Sequence, residues 1–277
     1  ISRFLQYVNL VIAVFILFSI LVFSGLYAWL SKDLPQLPQN LEHINLSLPT
    51  EIYSADGERI KVLGERHPVS LEDISPEFLK AIIAVEDSRF YHHSGIDHRA
   101  LIRALMANLR TKRIVQGGST ITQQLSKNLF FSFERNWIRK IKELMVAFQL
   151  EVTFGKDRIL EAYSNQIYFG SGAYGVEEAA QTYFNRRARD LTLLQSAMLA
   201  GLPNSPNSAN PFVHYEKAMK RTNYVLKRMV SERLISVQQK ENALNSIIDL
   251  AIPKIKSNPN LYFVDEVLAK LERHYGK

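Results

Sequence analysis

The sequence contains no cysteine among its 277 residues. That absence excludes disulfide bonds, thiolate metal sites and cysteine nucleophiles, and it leaves the redox compartment unread. Two other scarcities are local. No charged residue occurs between Arg3 and Lys32. Acids nearly vanish between Arg99 and Lys142, where ten lysines and arginines stand against the single acid Glu134. That segment is more positive than the whole chain, whose formal net charge is +7. A local field of this size seeks an anionic partner, whether phospholipid, pyrophosphate or nucleic acid. There is no internal repeat and no low-complexity tract, and 47% hydrophobic residues suffice for a sizeable core.

The uncharged run at 4–31 would span about 42 Å as a helix at ~1.5 Å per residue, more than the ~30 Å hydrocarbon core requires. Tyr27 and Trp29 sit near its end, where interfacial aromatics belong. Residues 1–31 therefore predict a single-pass transmembrane anchor, with everything after it on the far side. Residues 32–69 predict a proline-marked tether (Pro35, Pro38, Pro49) followed by a hairpin around Ala55-Asp-Gly-Glu58. From there the pattern is helical. Ser75-Pro76 is a helix start, with a cap hydroxyl before a proline at the first helical position. Helical periodicity continues over 98–110, 136–153, 157–168, 175–184, 190–200, 215–231 and 237–246, interrupted at Gly117-Gly118, at 170–172 and at 203–211. The expectation is a mainly α domain over 70–246, with 247–277 as a C-terminal linker.

Three groups of residues can carry chemistry. Glu86 lies three, four and seven residues after Ile83, Ile82 and Leu79, so it shares the apolar face of its helix. A carboxylate there is partly desolvated and is a stronger base for it. The spacing also allows the plainer reading that Glu86 marks the end of the stripe, capping the helix or pairing with an arginine such as Arg89. The run Gln116-Gly-Gly-Ser-Thr-Ile-Thr-Gln-Gln124, with Lys127 one turn later, reads either as an anion site at a helix N-terminus or as a polar turn. It is not a Walker loop, since no lysine follows the glycines at the required spacing. Arg139 and Glu143 are four apart on one helix side, where a surface pair contributes about 0.3–0.5 kcal/mol. Arginine preceding glutamate is the poorer order for the helix, which favours a further role.

These residues carry a resemblance. Ala84-Val-Glu-Asp-Ser-Arg-Phe90 with His93 and Gly95 resembles the first signature of the family 51 glycosyltransferases, the polymerising module of class A penicillin-binding proteins. The stretch 116–128 resembles the second and Arg139-Lys140-x-x-Glu143 the third. Ile159-Leu-Glu-Ala-Tyr-Ser-Asn165 with Tyr168-Phe-Gly170, then Tyr174-Gly-Val176 and Ala179-Ala180, resemble the fourth and fifth. Leu199-Ala-Gly-Leu-Pro203 is similar to the closing segment of the family, and 261–267 to the linker that precedes a transpeptidase domain. Ser164, Gln195 and Asn204 depart from the family pattern; Asn204 stands where lysine or glutamine is frequent, which the resemblance places at the donor site. No Ser-x-x-Lys acylation motif is present.

The resemblance implies a lysozyme-like, two-lobed, mainly α fold. It implies a peptidoglycan glycosyltransferase that polymerises lipid II into β-1,4-linked strands, with inversion and release of undecaprenyl pyrophosphate. Glu86 would be the catalytic base. Asp87, Phe90, Gly117, Ser119, Thr120, Gln124, Lys127, Asn128, Arg139 and Lys140 would bind substrate. Glu143 would be catalytic either by holding a divalent cation (magnesium or manganese) on the pyrophosphate or by orienting Arg139. Glu161 would be structural, and the apolar segment 129–133 would dip into the membrane. The partners implied are lipid II, the lipid-linked glycan, the bacterial cytoplasmic membrane on its outer face and other cell-wall synthesis proteins, with no nucleic acid. A membrane-bound lytic transglycosylase would share the fold and a single glutamate but needs no pyrophosphate site. A non-enzymatic basic membrane or nucleic-acid module would explain the charge but not an acid on an apolar face.

Overall fold

The uncharged run forms α1, Ser2–Ser31, in a computed structural model that describes residues 2–38, 41, 50–53, 55–57, 59–63, 66–111, 113, 117–131, 136–252 and 270. Within α1, Asn9–Ser31 has a mean hydropathy of 2.7 and is long and apolar enough to cross a membrane. Side chains such as Phe15, Leu17 and Leu21 are exposed, as lipid-facing residues are. The segment after α1 is not the free tether that its prolines suggested. Leu30 is buried, Leu34 and Leu37 pack against the core, and Leu41 is part of it. Asp33 also lies 3.1 Å from Lys142. The leucines spaced along 30–41 thus dock the foot of the anchor on the domain. The similarity at 261–267 and the residues 42–49 fall outside the described residues.

The expected hairpin is present. β1 (Thr50–Tyr53) pairs antiparallel with β2 (Arg59–Leu63), Thr50 opposite Leu63 and Tyr53 opposite Arg59. The helices follow as α2 (Pro76–Glu86), α3 (His98–Thr111), α4 (Ile121–Phe130) and α5 (Trp137–Gln166). A small antiparallel pair, β3 (Tyr168–Gly170) and β4 (Ala173–Tyr174), precedes α6 (Val176–Phe184), α7 (Leu193–Gly201), α8 (Tyr215–Ser231) and α9 (Val237–Leu244). The fold is mainly α with a small sheet, as expected.

The core is organised on α7, which is buried from Leu194 through Gly201. A helix apolar on all sides belongs at a centre, with neighbours around it; here α2, α8 and α6 pack on it. Gln195, one of the departures from the family pattern, completes a capping box with Thr192. An amide reaches back to the cap N–H as a carboxylate would, so glutamine costs the helix nothing essential. Ser164 is instead fully buried, with no hydrogen-bond partner for its hydroxyl among the described residues, while Asn204 is exposed in the turn after α7. The two helical runs expected at 136–153 and 157–168 meet as the two halves of α5, joined at Gly155 with φ 71° and ψ 171°. Only glycine adopts that backbone readily.

Glu161 is structural, as expected. It accepts from the Leu71 backbone N–H at 2.8 Å and pairs with Arg158 at 3.2 Å. Next to it, Asn165 both accepts from Val69 N and donates to Val69 O. The fourth signature therefore fastens the segment that enters the domain to the second half of α5.

Candidate active site

Glu86 is the last residue of α2. Ser75 opens that helix, but its hydroxyl bonds Glu77 and the Leu191 carbonyl instead of capping it. Phe78, Ala81 and Ile82 bury the apolar face, and this carries Glu86 against the core. A carboxylate at a helix C-terminus faces the wrong end of the dipole, so the position is unfavourable unless used. Gln124 Nε2 donates to Glu86 Oε2 at 2.8 Å, and Tyr163 donates to Gln124 Oε1 at 3.2 Å. Oε1 of Glu86 is buried with no hydrogen-bond partner among the described residues. Burial pushes the Glu86 carboxyl above the ordinary carboxylate range; the Gln124 hydrogen bond and Arg221 oppose the shift, and Asp87 adds to it. This is the environment of a general base held back from solvent.

Asp87 braces the site. His93 Nε2 lies 3.0 and 2.9 Å from its two oxygens, and the Ile121 N–H at the start of α4 donates to it at 3.1 Å. The N-terminus of α4 is thus already met by a carboxylate of the protein itself. Thr120 caps the same helix, accepting from Gln123 N while donating to Gly95 O at 2.6 Å. Gln123 Nε2 donates to the same carbonyl. Gly95 has φ +83°, and a Cβ there would stand 3.0 Å from Ala147 O, so these contacts require glycine.

The basic group is built along α4 and the first turns of α5. Arg139 Nη1 lies 2.6 Å from Glu143 Oε1 as an ion contact without hydrogen-bond alignment, and Lys140 Nζ donates to Glu143 Oε2 at 3.0 Å. Lys140 also reaches the exposed Ser119 at 3.4 Å. Glu143 is 1% exposed, so two cations on one buried carboxylate replace the water it lost. Ser126 ties α4 to this turn through Glu143 O. Lys127, one turn after Gln124, is half-buried and has no ion-pair partner among the described residues.

Several expected substrate contacts are corrected by this geometry. Phe90 is fully buried, with Lys156 Nζ 4.4 Å above its ring, and it is a core residue. Asp87 and Thr120 are buried and spend their oxygens on hydrogen bonds inside the protein. The helix N-terminus is occupied by Asp87, so it is no open anion site. Gly117, Ser119 and Asn128 are exposed; Gln124 bonds Glu86, Arg139 and Lys140 pair with Glu143, and Lys127 follows Gln124 by one turn of α4; Gln116 lies outside the described residues. Leu129, Phe130 and Phe131 are partly buried and pack against the core, so part of the apolar segment expected to dip into the membrane is spent on the domain; 132 and 133 lie outside the described residues. A divalent cation on Glu143 does not fit this donor set, because Arg139 and Lys140 hold both oxygens and no cluster of three acids or histidines exists among the described residues. Sequence reasoning missed Tyr163 and Arg221. Tyr163 was visible only as one letter of the fourth signature, and Arg221 lies on α8 with no local motif.

Comparison with known proteins assigns the class. The transglycosylase family matches residues 56–230, and the chain belongs to that family, as its five signatures implied. Penicillin-binding protein 1A of Aquifex aeolicus is 45% identical over 263 residues, which is 93% of this chain and 36% of that protein. Penicillin-binding protein 1A of Neisseria gonorrhoeae is 43% identical over 249 residues, 88% and 31% of the two chains. The chain thus spans about a third of the length of these curated relatives. The crystal structure of penicillin-binding protein 1A from Haemophilus influenzae aligns over 84% of this chain and 25% of that one, with 27% identity and a TM-score of 0.46.

Proposed function

We propose that this chain is a membrane-anchored peptidoglycan glycosyltransferase acting on the outer face of the cytoplasmic membrane. The observation that carries the reading is the free, buried Oε1 of Glu86, fixed by Gln124 on the helix that also carries Lys127. Glu86 takes the proton of the acceptor sugar's 4-hydroxyl. That oxygen bonds the anomeric carbon of the lipid-linked donor as the bond to pyrophosphate breaks. One displacement inverts the α-linked donor to a β-1,4 bond without a covalent enzyme intermediate. The leaving group departs as an anion, so it needs cations more than an acid; Lys127, Arg139 and Lys140 are suited to that, with Ser119, Gln124, Gly117 and Asn128 at hand for the sugar and phosphate oxygens. Glu143 is assigned to aiming Arg139 and Lys140. A lytic transglycosylase would have no use for this group of cations. Incubation with labelled lipid II is expected to give polymer; a folded protein that gives none, or that cleaves intact sacculi instead, overturns the reading.

The membrane surface is better sought on α3 than at 129–133. Only Ala104 of that helix is buried. Leu101, Ile102, Leu105, Met106 and Leu109 are all more than half exposed, with Arg99, Arg103 and Arg110 on the same helix. Exposed apolar residues beside cations are the pattern of an interfacial helix. A protein lacking residues 1–29 is expected still to sediment with anionic vesicles, less so at high salt. Leu105→Glu in that background should reduce the bound fraction severalfold. Equal binding by the two proteins would remove α3 from the membrane surface.

A further inference from the structure

Tyr163 is a fully buried phenol on α5 whose hydroxyl has a single hydrogen-bond partner among the described residues, Gln124 Oε1 at 3.2 Å. The other end of that amide donates to Glu86 Oε2 at 2.8 Å. We propose that Tyr163 is a positioning residue that fixes which way the Gln124 amide points, so that only its NH2 group is presented to Glu86. This rests on Glu86 being the base.

The argument is one of satisfiability. An amide can turn over and exchange its donor and acceptor ends with little change in shape. With NH2 toward Glu86, Gln124 favours the ionised carboxylate, which is the form that accepts a proton. With the carbonyl toward Glu86, it would favour the protonated acid and hold the proton the base must shed. Turning over would also leave the hydrogen of the Tyr163 hydroxyl without an acceptor in the core, and a buried orphan donor is costly. The hydroxyl remains a donor throughout the working pH range, because burial, then the Glu86 and Asp87 carboxylates, push its ionisation well above the ordinary phenol value. Tyr163 thus biases Glu86 toward its working form and leaves Oε1, which has no hydrogen-bond partner among the described residues, uncommitted to the amide. The charged or titratable groups acting on Glu86 are Asp87, held by His93, on the chain beside it, Tyr163 from α5 and Arg221 from α8. None of these three neighbours sets the direction of the amide except Tyr163.

The experiment compares the whole protein with Tyr163→Phe, Gln124→Met and the double variant. The Glu86 carboxyl is titrated by carbon-13 NMR and identified by its absence in Glu86→Gln; the pH dependence of glycosyl transfer is measured in parallel. In Tyr163→Phe the Glu86 titration is expected to move upward, and transfer near neutrality to fall about three- to tenfold, recovering as pH rises. In the Gln124→Met background, adding Tyr163→Phe should move the titration no further, since the amide it orients is gone. An unmoved Glu86 titration in Tyr163→Phe overturns the proposal. So does a shift of equal size in the Gln124→Met background, which would mean general repacking. If the titration moves in Tyr163→Phe while the acid limb of the rate profile stays in place, the positioning role stands and the assignment of Glu86 as the base fails.

Discussion

Glu86→Gln is expected to abolish polymerisation and, at neutral pH, to make the protein more stable. The two effects have one origin. The isostere keeps the size of the side chain and can still bond Gln124, but it accepts no proton, a loss of the order of 10²–10⁴-fold. The stability effect follows from the raised ionisation of Glu86, caused first by burial. Between the unperturbed value of 4.5 and the raised value, the unfolded chain has released this proton while the folded one retains it. Folded stability therefore falls as pH rises through that window, and the whole penalty is present above it. Glutamine carries no such penalty. Thermal unfolding of the pair should show the variant melting higher at neutral pH, with the two curves converging below about pH 4.5, where both states of the wild type are protonated. Wild-type-like turnover within about threefold, with unchanged circular dichroism, would refute the base assignment. Loss of activity without the pH-dependent gain in stability would mean that the carboxylate is better solvated than its buried Oε1 implies.

What the sequence made legible was whatever repeats along the chain. The charge-free run gave α1, the Ala55-Asp-Gly-Glu58 turn gave the hairpin, and 3.6-residue periodicity located most helices close to their observed ends. Glu86 was legible because its own helix carries the apolar stripe it shares. Contacts between elements were not legible. Phe90 and Thr120 stand inside signatures and looked like ligand contacts, yet one fills the core and the other caps α4. Leu129, Phe130 and Phe131 form a short apolar run that periodicity cannot assign to core or membrane, whereas 98–110 showed only helical periodicity, with nothing to say that the apolar side of α3 is exposed. The leucines at 30, 34, 37 and 41 were hidden among prolines, and the Asp33–Lys142 ion pair beside them joins residues 109 positions apart. Tyr163 and Arg221 reach Glu86 only through packing of α5 and α8, and nothing in the local sequence of either records that.

Lys127→Ala and Arg139→Ala should each cut polymerisation by about 10²–10³-fold, because under the proposed function each removes a cation assigned to the pyrophosphate as its charge develops. The two residues are held differently, and the variants should differ accordingly. Arg139 is fixed at 2.6 Å by Glu143, so it is already aimed before substrate arrives. Lys127 has no such partner among the described residues and is expected to be ordered by the anion itself. Both substitutions should also weaken binding of moenomycin, a phosphoglycolipid that the family resemblance implies would occupy the proposed donor site. Lys112→Ala and Arg113→Ala serve as controls for the diffuse positive field, Arg113 being exposed and Lys112 outside the described residues. In calorimetric titrations at two salt concentrations, the controls should lose little affinity, and that small loss should fade with salt. Equal losses in all four variants would mean that the cluster acts only as a field, and the assignment of Lys127 and Arg139 to the pyrophosphate would fail. Glu143→Gln extends the series. With both of its oxygens given to Arg139 and Lys140, its loss should lower activity by misaiming those cations, to the same degree whatever the divalent cation concentration. Recovery of that variant at high magnesium or manganese would instead argue that Glu143 holds a metal ion during turnover.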